Sequence, residues 1–150
     1  MKVFVIMLFL FAVSACQADV ESGSQLKVEL QHINNAVSNT PYSALIKHLS
    51  VDAKAVDDDD SIVLHVFHAK VIETYRGDHH ESISYQMVVE KDETIGIDEQ
   101  PFIVTLCQSV NGYYWPGTGA AFSNKVQLIN SVKIAVKNLA RQQTNFSDCE

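Results

Sequence analysis

Across residues 24–38 the chain places Leu26, Leu30, Ile33 and Val37 at helical spacing. Leu26, Val28 and Leu30 also alternate as a strand would, but the stripe continues to Val37, which predicts an amphipathic helix. Asn39-Thr40-Pro41 ends it. Residues 42–56 carry two patterns. Tyr42, Leu45, Ile46 and Leu49 fit a short helix capped by Thr40 with Pro41 in its first position. Leu49, Val51, Ala53 and Ala55 alternate with Ser50, Asp52 and Lys54, which favours a strand over at least residues 49–56. Helix or strand stays open for the segment as a whole. Asp57 to Asp60 then read as a solvated turn.

Residues 61–76 form one long β-branched and aromatic run closed by Gly77-Asp78. Both faces are partly apolar, with Ile62, Leu64 and Val66 on one and Val63, Phe67, Ala69 and Val71 on the other. A strand this long bends, commonly at a bulge, and serves two regions of a sheet. Ile83, Tyr85, Met87 and Val89 alternate with Ser82, Ser84, Gln86 and Glu90, giving one wet face interrupted by Val88. Residues 102–107 make another strand. Asn111-Gly112 is a type I′ hairpin signal, from which Tyr113-Tyr114-Trp115 returns. Pro116-Gly117-Thr118-Gly119 breaks that strand, and Ala120-Ala121-Phe122 resumes it.

From Asn124 the period turns helical: Leu128, Ile129, Val132, Ala135, Val136 and Leu139 share one stripe. Ser123 or Asn124 would cap the start, Lys137 and Arg141 suit the C-terminal end, and the helix is expected to run to about Gln143. Helix, about five strands, helix is an α+β order, and five such strands would close into a small antiparallel barrel.

The first strands also resemble the opening of the netrin-type domain. There a strand is followed by a long second strand ending in an aromatic, a basic residue and glycine, here Tyr75-Arg76-Gly77-Asp78. A later strand carries a cysteine, here Phe102-Ile103-Val104-Thr105-Leu106-Cys107. The resemblance spans roughly residues 42–122 and implies an OB-like β-barrel flanked by N- and C-terminal helices. Metalloproteinase inhibitors of that family begin Cys-x-Cys and place a free terminal amine on the target's zinc. This chain reads Cys16-Gln17-Ala18, so the inhibitor activity is not carried over.

The start of the chain reads as an address. Residues 3–13 are an apolar run of 11 behind Lys2. As a helix they reach about 16 Å, about half of a hydrocarbon core, so they do not span a membrane. A basic start, a short apolar run and small residues predict an export signal over residues 1–15. Val13-Ser14-Ala15-Cys16 resembles the bacterial lipobox, which implies a diacylglycerol on the Cys16 thiol and an acylated amino terminus. The alternative is an ordinary signal cut after Ala15 or Ala18. Residues 16–23 are then a lipidated polar tether and residues 24–150 a single domain. Gln17 is not the aspartate that retains many such lipoproteins at the inner membrane, so by that analogy the anchor points to the outer membrane, facing the periplasm.

Without Lys2 the chain has 10 basic and 18 acidic residues, a net charge of −8. An acidic surface repels phosphate backbones, which argues against nucleic-acid binding. Apart from Cys16 the chain holds Cys107 and Cys149. In an oxidising compartment that pair predicts one disulfide, with Cys107 on the strand face opposite Phe102, Val104 and Leu106.

Chemistry-bearing residues are sparse. His65 and His68 lie three apart, on opposite faces of a strand, and so cannot share a metal. His79-His80 follow the Gly77-Asp78 turn and read as solvated. Asp57 to Asp60 lack the alternation, glycine and terminal glutamate of a calcium loop. Glu90, Asp92 and Glu93 are explained by a wet strand end. Gly-x-Ser-x-Gly, His-Glu-x-x-His and phosphate-loop signatures are missing. Tyr113, Tyr114 and Trp115 are the most unusual local feature: Tyr113 and Trp115 share one face and Tyr114 takes the other. They are a candidate binding rim for a protein, peptide or glycan, against the alternative of a core-filling hairpin. The expectation is a membrane-anchored, non-catalytic binding or accessory module without a cofactor. The alternative is a small envelope hydrolase or metal-dependent enzyme with dispersed site residues.

Overall fold

The computed structural model describes residues 18–56, 61–93, 95–139 and 143–149. The expected export signal, the Cys16 lipid site and the Asp57 to Asp60 turn lie outside them. The chain runs α1 (Ala18–Asn39), β1 (Tyr42–Ala55), β2 (Ile62–Arg76), β3 (Ser82–Glu90), β4 (Phe102–Ser109), β5 (Gly112–Tyr114), β6 (Ala121–Ser123) and α2 (Val126–Asn138). A 3₁₀ turn at Ser147–Cys149 follows.

The first five strands close as β1-β2-β3-β5-β4, with β4 pairing back onto β1, and β6 pairs with the start of β4 on the edge opposite β1. This is the small α+β, OB-like barrel the sequence predicts, with one correction. The barrel is mixed rather than antiparallel throughout, because β3 and β5 run parallel. Strand count requires it: directions cannot alternate all the way around a ring with an odd number of members.

Residues 42–48 are strand, not a capped helix. Tyr42 to Ile46 pair with β4 on one side, while Ser43 to His48 pair with β2 on the other. The Thr40 hydroxyl donates back to the Ala36 carbonyl at 2.8 Å, closing α1 instead of opening a new helix. The expected bend is present. The β1–β2 register skips Tyr75 and Ile72 on β2 and Leu49 on β1, three two-against-one bulges that sharpen the local twist.

Strand alternation divides the apolar residues between two cores. Tyr42, Ala44, Ile46, Phe67, Ala69, Ile83, Tyr85, Val104 and Leu106 fill the barrel. Ile103, on the outer face of β4, is covered by Ile33 and Val37 of α1 and Leu128 and Val132 of α2. Each large side chain buried this way contributes about 1.5–3 kcal/mol of transfer free energy. Lys125 pairs with Glu29 at 2.8 Å, and Ser131 donates to Asn34 at 2.8 Å across the same helix pair.

Three helix boundaries differ from expectation. α1 begins at Ala18, so most of the supposed tether is helical; a formed helix extends at little further cost. Neither Ser123 nor Asn124 caps α2. Lys125 occupies the cap position without a side-chain bond, because Ser123 is still paired with Phe102 in the sheet. α2 ends at Asn138, with Leu139 already extended, rather than near Gln143. Gln143 instead accepts from Arg76 at 2.9 Å and donates to the Ser38 carbonyl at 2.9 Å.

Candidate functional site

The barrel closes along a short seam. The β1–β4 pairing covers only Tyr42–Leu106 to Ile46–Phe102. Past Ile46, β1 continues with β2 as its only partner, and β2 stays paired with β3 up to Ile62–Glu90. Three strands therefore rise above the point where β4 starts. Between β3 and β4, residues 91–93 and 95–101 contribute turns and irregular backbone there. The mouth of the barrel stays open beneath it as a cavity of about 510 Å³, within the size range of small-molecule sites.

Inward alternation supplies its lining. After Tyr42, Ala44 and Ile46, the next inward residue of β1 is His48. It meets Phe67 from β2, Tyr85 from β3 and Phe102 from β4. Phe67 and Tyr85 are almost completely buried and stack at 5.1 Å. Tyr85 in turn stacks on Trp115 at 6.1 Å. His48 lies flat against Phe67 at 5.0 Å and edge-on to Phe102 at 4.9 Å. Its Nε2 is 2.6 Å from the Tyr85 hydroxyl, while its buried Nδ1 has no hydrogen-bond partner among the described residues. Burial pushes the His48 pKa below its ordinary 6.5, partly opposed by the Asp98 carboxylate. Burial also raises the Tyr85 phenol. Glu93 and Asp98 reach the cavity from the overlying loop, and among the described residues neither lysine nor arginine lines it.

The three aromatics read from the sequence as a rim go to three different places. Trp115 lines the cup. Tyr113 packs on Tyr42 at 4.6 Å, meets His80 at 3.2 Å, and borders a separate groove of about 480 Å³ beside Arg76. Tyr114, on the opposite face, donates to the Cys149 carbonyl at 3.0 Å. All three are half-buried. Cys149 bonds to Cys107 as a disulfide with Cα atoms 5.4 Å apart.

The Tyr75-Arg76-Gly77 motif has a structural use in that groove. Arg76 donates to the Val37 and Ser38 carbonyls at the C-terminus of α1 and lies 4.9 Å over the Phe146 ring. Gly77 adopts φ +88°, and a Cβ there would stand 2.7 Å from the Tyr42 ring. Arg76 is thereby explained by docking α1 onto the barrel, and Gly77 by its positive φ and its close approach to Tyr42 at the start of β1.

A second polar arrangement lies outside the barrel and has no sequence motif. Asp52 Oδ2 is 3.0 Å from His68 Nε2, and His68 Nδ1 is 2.8 Å from Ser84 Oγ. The Ser50–His68 and His68–Ser84 register places these residues on one outer face. Carboxylate, imidazole and hydroxyl stand in the order of a nucleophile relay. None of the three lines the cup or the Arg76 groove. His65, from the same strand, faces the other way, toward Phe67. Among the described residues no three His, Cys, Asp or Glu side chains gather within metal-binding reach. No family model, curated protein or solved structure matches this chain.

Proposed function

We propose that the chain is a non-catalytic binding module, lipid-anchored in a bacterial envelope, that holds a small ligand in the aromatic cup at the barrel mouth. One observation carries this function: an open cavity of about 510 Å³ lined by Phe67, Tyr85, Phe102 and Trp115 around a His48–Tyr85 pair. Apolar concave surface with a few convergent polar groups is the usual form of a small-molecule site. The anchor and the outer-membrane address rest on Val13-Ser14-Ala15-Cys16 and Gln17. The netrin-like kinship rests on Tyr75-Arg76-Gly77 and on a β1-β2-β3-β5-β4 ring that suits it.

The cup is tested with a neutral fluorescent dye, N-phenyl-1-naphthylamine, read by energy transfer from Trp115, the chain's one tryptophan. Ala121→Phe adds a ring at an exposed position on the cavity wall. It should leave the fold intact and cut transfer at least severalfold. Unchanged transfer would put the dye elsewhere and remove the cup from consideration. The anchor is tested separately. Cys16→Ser should lose labelling by a fatty-acid analogue, and wild-type protein found unlabelled in the periplasm refutes lipidation.

A second reading, a small hydrolase, is favoured by the Asp52–His68–Ser84 relay alone. It requires p-nitrophenyl acetate turnover above background that Ser84→Ala abolishes. Turnover unaffected by that change would leave the relay as surface hydrogen bonding.

A further inference from the structure

We propose that the cup selects a small organic ammonium ion, quaternary or primary, with no anionic group beside it. This rests on the cup being the binding site and names the class of ligand it takes. Phe67, Tyr85 and Trp115 form one stacked series from the barrel interior to the mouth, and because Phe67 and Tyr85 are almost completely buried, the half-buried Trp115 is the ring of that series open to a ligand. The face of an aromatic ring is the negative end of its quadrupole, and indole presents the strongest such face, so Trp115 on the cavity wall attracts a cation that has shed water.

The ionic groups point the same way. Glu93 and Asp98 line the cavity, and among the described residues no lysine or arginine does. Asp98 is near enough for its charge to act on His48, so its field reaches the inner part of the cup. Among the described residues His48 is the only one lining the cup that can become a cation, and burial keeps it neutral to a lower pH than usual. A phosphate or carboxylate ligand would therefore meet two carboxylates and no counter-charge. Zwitterions fall between, because their anionic end must sit near Glu93 or Asp98. An unmodified ammonium ion satisfies both the Trp115 ring and the carboxylates.

Three probes of nearly equal shape separate these cases: choline, its uncharged isostere 3,3-dimethylbutan-1-ol, and glycine betaine. The readout is the indole N–H resonance of Trp115, the one such signal the chain can give. Choline should bind saturably and about tenfold more tightly than either competitor, the scale of one desolvated cation–π contact with a nearby carboxylate. Glu93→Gln combined with Asp98→Asn should remove most of that preference and leave binding of the alcohol unchanged. The asparagine keeps the oxygen that accepts from the Gln100 amide at 2.8 Å in the wild type. Equal or tighter binding of the alcohol overturns the cation inference while leaving the cup as a ligand site. No response to choline also overturns it. Energy transfer from Trp115 to the neutral dye then shows whether the cup itself has failed as a site.

Discussion

His48 Nε2 lies 2.6 Å from the Tyr85 hydroxyl, and the tyrosine is only 2% exposed. The pair joins adjacent inward positions of β1 and β3 across Phe67. Tyr85→Phe keeps the ring and its stacking but leaves His48 with neither ring nitrogen partnered. Loss of one buried partner costs about 1–3 kcal/mol, whereas replacing both partners by apolar groups of similar shape costs much less. Tyr85→Phe should therefore lower the urea midpoint, and adding His48→Phe should restore most of it. Equal or additive losses in the double variant would mean the bond contributes nothing specific.

Acid sensitivity follows from the same imidazole. Its pKa is lowered in the folded protein by burial, below the ordinary 6.5. Between the lowered value and 6.5 the unfolded chain binds more protons than the folded one, so stability rises with pH in that window. His48 thus costs nothing above 6.5 and destabilises progressively as pH falls from 6.5 through the folded pKa. His48→Gln, neutral throughout, should flatten this part of the stability profile measured by denaturant unfolding. A slope unchanged by His48→Gln would assign the sensitivity to other groups.

Much of this architecture was legible in the sequence, and the misses share one cause. Alternation placed Ile83, Tyr85, Met87 and Val89 on one face because a half-buried strand imposes a period of two. Helical spacing found Ile33, Val37, Leu128 and Val132 for the same kind of reason. Residues 42–48 fitted both periods, and what decides them is pairing with β4, some 60 residues further along. The parallel β3–β5 contact was available from parity, had five strands been treated as a closed ring. The cup was not legible as a motif. His48, Phe67, Tyr85, Phe102 and Trp115 are separated by whole strands and meet only through register. The one local hint was His48 continuing the inward series Tyr42, Ala44 and Ile46. Asp52, His68 and Ser84 are spaced 16 residues apart, a spacing that means nothing until the two hairpins are aligned.

Arg76 should matter for stability more than a surface arginine does. Its guanidinium joins two carbonyls at the end of α1, Gln143 and the Phe146 ring. Charged hydrogen bonds at a helix C-terminus are worth more than neutral ones, so Arg76→Ala should cost about 2–3 kcal/mol. Arg76→Lys keeps the charge but loses the planar fork that reaches several acceptors at once, and should recover less than half of the loss. Full recovery in the lysine variant would show that charge alone is at work. Either outcome is read by thermal unfolding, and cup occupancy should not change.

The Cys107–Cys149 disulfide should be the largest single constraint on the C-terminal segment. Cys107 sits at the fully buried end of the helix-facing side of β4, two residues after Thr105. α2 stops at Asn138, so the closing segment depends on side-chain anchors instead of helix: Gln143 on Arg76 and Ser38, Phe146 under Arg76, and the Cys149 carbonyl on Tyr114. Those anchors bring Cys149 back to the sheet across a loop of 42 residue steps. Chain-entropy arithmetic for a loop of that length gives roughly 4 kcal/mol of stabilisation, an upper figure when the unlinked chain keeps residual structure. Cys149→Ser removes the link while leaving the carbonyl that Tyr114 binds. It should lower unfolding free energy by about 2–4 kcal/mol and raise amide exchange over residues 143–149. The cup lies on the opposite side of the hairpin and should keep its dye binding. Thiol counting in denaturant provides the direct check. Wild-type protein should show no free thiol at Cys107 or Cys149, and two titratable thiols there would exclude the bond.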